Sequence, residues 1–195
     1  MIFLKSIWSA LLGAWIHFGL HVFPATIHPM IVHFPIALLF LALLIEILRI
    51  ILPPSETRFY DRAGYWVVFL SVFACIAAAA AGVISEQYVR FTPAAAKVLS
   101  EHQLDAVITI LAAILAVLVR SFTRYPDFNK RDKERWTLFG RGRGRPTWLS
   151  TLLVLIAVIM VSITGHLGGT MVYHYGAGTP STFRQPLQQT LRVRA

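Results

Sequence analysis

The stretch MIVHFPIALLFLALLIEILRIIL, residues 30–52, decides the fold class because it is apolar apart from Glu46, Arg49 and one histidine. About 20 such residues cross a bilayer as a helix. Three further runs of this kind follow at residues 65–84, about 104–119 and 148–173. Pro53 and Pro54 end the first helix, since proline cannot continue one. The sequence predicts an all-α integral membrane protein, a bundle of four long transmembrane helices.

The composition supports this class. Of 195 residues, 56% are hydrophobic and 14% charged, against about 45–50% and about 25% in soluble domains. These values exclude a disordered chain, a nucleic-acid-binding arm and an ordinary globular enzyme. The single cysteine excludes a disulfide framework, a cysteine-ligated cluster and c-type haem attachment.

The N-terminal segment, residues 2–23, is apolar with one charge, Lys5. Its polar and small residues recur every four positions and form one narrow stripe on a helix. A narrow stripe favours a fifth span packed on the bundle over a helix lying in the interface. We therefore divide the chain into an N-terminal helix (1–26), a four-helix membrane domain (27–178) and an external tail (179–195).

The distribution of Lys and Arg predicts the orientation. Loop 120–147 carries nine of the 18 Lys and Arg residues. The side of the membrane on which this loop lies carries more than twice as many of them as the opposite side. Basic loops face the cytoplasm, so this loop is predicted to be cytoplasmic and the C-terminus external. Anionic lipids are the expected partners of the basic loop, and its Gly-Arg run is not interpreted as a nucleic-acid site. We expect a multi-pass protein of the cytoplasmic membrane.

This topology places every histidine in the outer half of the membrane or just beyond it, namely His17, His21, His28, His33, His102, His166 and His174. Ionisable residues inside a membrane are functional candidates, and neutral imidazole is the commonest metal ligand. Histidines on separate helices can hold haem or a metal ion between them.

His33 and His166 are the predicted ligand pair, because they lie deepest and at matched depth. Gly165, Gly168 and Gly169 surround His166 and would admit a flat macrocycle. His28 and His102 form a shallower alternative pair. The remaining candidate metal ligands are His174, His17 and His21.

Two motifs carry a family resemblance. The stretch IHPMIVHFPIAL (27–38), and GHLGG (165–169) followed by VYHYG (172–176), resemble a prokaryotic membrane family called domain of unknown function 2231. The resemblance covers roughly residues 27–178. It implies four-helix membrane proteins found beside, or fused to, c-type cytochrome or Rieske-type domains. Respiratory or photosynthetic electron transfer with b-type haem is the function it implies.

Three functions follow as hypotheses. The first is a cytochrome b-like subunit that binds haem b near the outer face. It would pass electrons between a quinol and an outer-face cytochrome or other redox protein, beside other membrane subunits. The second is a cofactor-free structural subunit of an energy-transducing complex. The third is a copper or zinc site, or a transporter. An electron-transfer or accessory subunit is favoured over a free-standing enzyme.

Overall fold

The computed structural model describes residues 2–52, 54–124, 148–179 and 182, with side chains described from residue 6 and not for 54–58 or 122–124. Its helices are α1 (Ile2–Val22), α2 (Ile27–Ile31), α3 (His33–Ile51), α4 (Pro54–Gln87), α5 (Pro93–Arg124) and α6 (Trp148–Tyr173). The prediction of an all-α protein is confirmed. The loop at 125–147 and most of the tail lie outside the described residues.

Four helical segments are long and apolar enough to cross a membrane: Ile27–Ile51, Phe59–Gln87, Pro93–Ser121 and Trp148–Tyr173. The four predicted spans are therefore confirmed. The described apolar part of α1, Ser6–Val22, is shorter than these segments. A membrane-spanning α1 stays a prediction.

The first span is built from two helices, because proline interrupts it. Pro35 has no N–H and its ring collides with the carbonyl four residues earlier, which belongs to Ile31, where α2 ends. Val32 between them keeps helical torsions, with φ −59° and ψ −22°, so the chain continues in nearly the same direction.

The four spans pack as an antiparallel bundle in which α3 contacts α4 and α6, and α5 contacts α4 and α6. Small and branched side chains fill the interior, in one cluster around Leu39, Ala113 and Ala157 and another around Ala42 and Ala116. Alanine at helix contacts lets backbones approach closely, which is how helices associate in lipid. Large apolar side chains cover the outer faces, including Phe40, Leu44, Phe73, Leu111, Leu115 and Ile159.

Helix α1 packs on the outside of the bundle against α4 and runs parallel to it. The indole Nε1 of Trp15 donates to the carbonyl of Ala80 at 3.2 Å, and the hydroxyl of Tyr88 donates to the carbonyl of Phe23 at 2.9 Å. Gly19 lies so close to the Ile84 side chain that a β-carbon there would overlap it. The C-terminal end of α1 thus lies beside the C-terminal end of α4.

Candidate functional site

All seven histidines lie at one end of the bundle, here called the histidine end. Because neighbouring spans are antiparallel, the starts of the first and third spans meet the ends of α4 and α6 there. Helix α1, parallel to α4, brings His17 and His21 to the same end. The sequence predicted this clustering from the order of the spans. Which side of the membrane the histidine end faces stays a prediction.

His28 and His102 meet inside the bundle although 74 positions separate them in the chain. Their ring centroids are 6.1 Å apart and their planes make an angle of 78°. His28 lies on α2 and His102 on α5, and both are half-buried. We call these two residues the histidine pair. It is the shallower of the two pairs that the sequence suggested.

Each imidazole of the histidine pair is held by a main-chain carbonyl of a neighbouring helix. Nδ1 of His28 donates to the oxygen of Ala78 on α4 at 2.9 Å, and Nδ1 of His102 donates to the oxygen of Thr164 on α6 at 2.9 Å. A carbonyl oxygen only accepts, so Nδ1 carries the proton in both rings. In the neutral rings, Nε2 is then the nitrogen with a free lone pair. This is the usual arrangement of a histidine that ligates a metal through Nε2.

Two glycines stand beside the histidine pair, one at each ring. A β-carbon on Gly82 would lie 3.2 Å from Nδ1 of His28, tighter than ordinary packing. A β-carbon on Gly168 would lie 3.5 Å from Cε1 of His102, an ordinary contact distance. Gly82 is therefore required for the present position of its ring, whereas Gly168 leaves some room.

The other predicted ligand pair lies on the outer surface of the chain. The side chains of His33 and His166 are exposed. Gly165 and Gly169, next to His166, face open space, since nothing would lie within 4 Å of a β-carbon at either position. The open space beside these two glycines therefore lies on the outer surface of the chain, and their role at a macrocycle stays a prediction.

His174 and the α1 histidines are exposed as well. The ring of His174 packs edge-on against Tyr175 with centroids 4.7 Å apart. His17 and His21 pack against each other on α1, with centroids 4.5 Å apart. Within the described part of the chain, no group of three or more His, Cys, Asp or Glu side chains is placed to hold a metal ion.

A buried ionic network, here called the charged cluster, occupies the opposite end of the bundle. Its members come from all four spans: Glu46, Arg49, Asp61, Arg120 and Thr151. The carboxylate of Glu46 is fully buried; it forms an ion pair with Arg120 at 2.6 Å and accepts hydrogen bonds from Arg49 at 3.0 Å and from Thr151 at 2.8 Å. Arg120 also reaches Asp61 at 3.3 Å.

The centre of the charged cluster, Arg120, was not predicted from the sequence. Arg120 was assigned to the basic loop, but α5 continues to Arg124 and the Arg120 side chain is only 1% exposed. The correction has a physical reason, because a fully buried carboxylate requires a cationic partner within the membrane. Glu46, deep in an apolar span, was the available signal that such a partner exists.

Comparison with known proteins assigns the chain to a family. A family model described as "Predicted membrane protein (DUF2231)" matches residues 24–181. The chain belongs to this family. No curated protein and no solved structure matches the chain.

The predicted family membership is thereby confirmed. The DUF2231 region contains the whole four-span bundle, with both the histidine pair and the charged cluster. Helix α1 ends at Val22, just before the matched region begins. His17 and His21 therefore lie on an element outside the DUF2231 match.

Proposed function

We propose that this chain is an electron-transfer subunit of a membrane complex, which binds b-type haem through His28 and His102. The observation that carries the proposal is the histidine pair itself. Two imidazoles from different helices face each other inside an apolar bundle, each with Nδ1 engaged by a backbone carbonyl. Burying such polar rings in a membrane is costly and points to a ligand that uses them.

The separation of the two rings fits axial ligation. With metal–nitrogen bonds of about 2.0–2.1 Å, two imidazoles on opposite sides of one ion have centroids about 6 Å apart. The centroids of His28 and His102 are 6.1 Å apart. The glycines beside the rings, Gly82 and Gly168, keep side chains away from them.

The number of protein ligands also favours haem over a bare metal ion. A structural zinc site uses four protein ligands, whereas the haem macrocycle supplies four nitrogens and leaves two axial positions for histidine. In the described residues the histidine pair has no third ligating side chain grouped with it. Two imidazoles suffice for haem, whereas a structural zinc site would need two further protein ligands.

The functional role follows from the position of the pair at one end of the bundle. Bound haem would supply one-electron chemistry, and the protein would hold it close to a membrane surface. A quinol in the membrane and a cytochrome or other redox protein at the outer face are the proposed donor and acceptor. The inner membrane of a prokaryote, with the histidine end outward, is the proposed location.

The test is an absorbance spectrum of the full chain, produced without a polyhistidine tag in haem-replete cells and purified in detergent. We expect a Soret band and, after dithionite, the sharp α band of low-spin haem b, with pyridine haemochromogen identifying the haem type. His28→Gln and His102→Gln should each abolish the low-spin spectrum. Glutamine retains an N–H for the carbonyl of Ala78 or Thr164, which favours folding of both variants.

His33→Gln and His166→Gln are the matched controls, since these exposed histidines were the competing ligand assignment. They should keep the wild-type spectrum. A spectrum that survives both pair variants but is lost in either control would overturn the ligand assignment. A folded wild-type protein without haem would overturn the electron-transfer proposal and favour a cofactor-free structural subunit.

A further inference from the structure

Helix α1 carries two histidines on the side turned away from the bundle. His17 and His21 are one helical turn apart and both are exposed. Trp15 and Gly19 hold the opposite side of α1 against α4. The two imidazoles are therefore accessible from outside the chain.

The imidazole rings of His17 and His21 pack against each other. The ring centroids of His17 and His21 lie 4.5 Å apart, with 39° between the planes. Nδ1 of His21 donates to the carbonyl of His17 at 2.7 Å. That bond places the proton on Nδ1 and leaves Nε2 of His21 with a free lone pair.

From this geometry we infer that His17 and His21 form a bidentate site for a divalent transition-metal ion. Two histidines at i and i+4 on a helix face present both imidazoles to one ion. With metal–nitrogen bonds of about 2.0–2.1 Å, imidazoles on adjacent coordination positions have centroids about 4.5–5 Å apart. The observed 4.5 Å lies in this range.

The α1 site differs from the histidine pair in the distance between its two rings. The 6.1 Å between His28 and His102 suits opposite positions on one ion, whereas the 4.5 Å on α1 suits adjacent positions. Two protein ligands leave the remaining positions of the ion open to water or to ligands from outside the chain. Imidazole sites prefer Cu²⁺ over Ni²⁺ and Zn²⁺, so Cu²⁺ is the tightest expected ion.

This site is independent of the proposed haem function. Helix α1 lies outside the residues matched by the family model, and neither of its histidines touches the histidine pair. Loss of metal binding on α1 would leave a haem spectrum unchanged. Absence of haem would leave the α1 site intact.

The experiment titrates the purified full chain with Cu²⁺, and then Zn²⁺, in detergent. The chain carries no polyhistidine tag, and its N-terminal amine is blocked because a free amine also binds copper. Calorimetry measures affinity and stoichiometry, and electron paramagnetic resonance counts the nitrogens on Cu²⁺. We expect one ion per chain with two imidazole nitrogens.

The decisive variant exchanges two neighbouring residues, His21→Val with Val22→His, and keeps the histidine count constant. The new spacing rotates the second imidazole about 140° from the first, so it can no longer share an ion. We expect the affinity for Cu²⁺ to fall by about 10-fold or more, as in His17→Ala. His174→Ala, which removes a lone exposed histidine, should bind as wild type does. Wild-type affinity in the exchanged variant, or loss of binding in His174→Ala alone, would overturn the inference.

Discussion

Neutralising Glu46 is expected to destabilise the bundle more than any loss of hydrogen bonds can explain. The carboxylate is fully buried, and its ionic partner Arg120 is 1% exposed. Hydrogen bonds between helices in membranes average about 0.6 kcal/mol, so two bonds of this size, from Arg49 and Thr151, account for about 1 kcal/mol. Removing one member of a buried ion pair costs about 3–5 kcal/mol; Arg120 would retain its longer contact to Asp61 but lose the carboxylate buried beside it. We expect Glu46→Leu to fall in this higher range.

The assay is reversible unfolding of the purified chain in mixed micelles with increasing dodecyl sulfate, followed by circular dichroism. Glu46→Leu, Arg120→Met and the double variant complete a thermodynamic cycle. The double variant should be more stable than the two single losses added together, with a coupling of about 1–3 kcal/mol. Lys97→Gln, at an exposed position, should stay within about 0.5 kcal/mol of wild type.

If the free energy of unfolding falls by less than about 2 kcal/mol in both single variants and the two effects add, the ion pair between Glu46 and Arg120 does not have the expected role. Such a result would mean that the remaining members of the charged cluster, or water, stabilise the charge that each substitution leaves in the bundle. A loss in the Lys97→Gln control as large as that in Glu46→Leu would show that the assay reports general damage rather than the ion pair.

Two further predictions concern the histidine pair and the topology. If haem is bound as proposed, Gly82→Ala should shift or broaden its low-spin spectrum, because the new methyl presses on the His28 ring, whereas Gly168→Ala should leave it nearly unchanged; wild-type spectra in both would contradict the packing argument. A cysteine placed within residues 125–147, in a Cys75→Ala background, should resist an impermeant thiol reagent in intact cells. Labelling equal to that of a cysteine in the tail would contradict the predicted orientation.

Hydropathy alone identified the four spans, but it shortened two of them. Helices α4 and α5 run over Pro54–Gln87 and Pro93–Arg124, well past the apolar runs that marked them. Their ends carry charged residues, which lower the hydropathy without ending the helix. The same effect placed Arg120 in a loop, since composition cannot distinguish a buried arginine from a solvated one.

The histidine end was predictable, whereas which two histidines meet in the interior was not. Depth along the helix favoured His33 and His166, but burial depends on rotation about the helix axis. His28 and His33 are five residues apart, which turns their side chains about 140° from each other, and only His28 faces the interior. Likewise His166 is two residues, about 200°, from Gly168, so it cannot share the face that contacts His102.

The carbonyls of Ala78 and Thr164 hold the imidazoles of the histidine pair, and this has a consequence for genetics. Small substitutions such as Ala78→Ser and Thr164→Ala leave the oxygen in place, so they should leave the orientation of the rings unchanged. A proline four residues further along, at position 82 or 168, displaces that carbonyl and should act as a loss-of-function allele. The path of the main chain, rather than the side chains of Ala78 and Thr164, thus sets the orientation of the two rings.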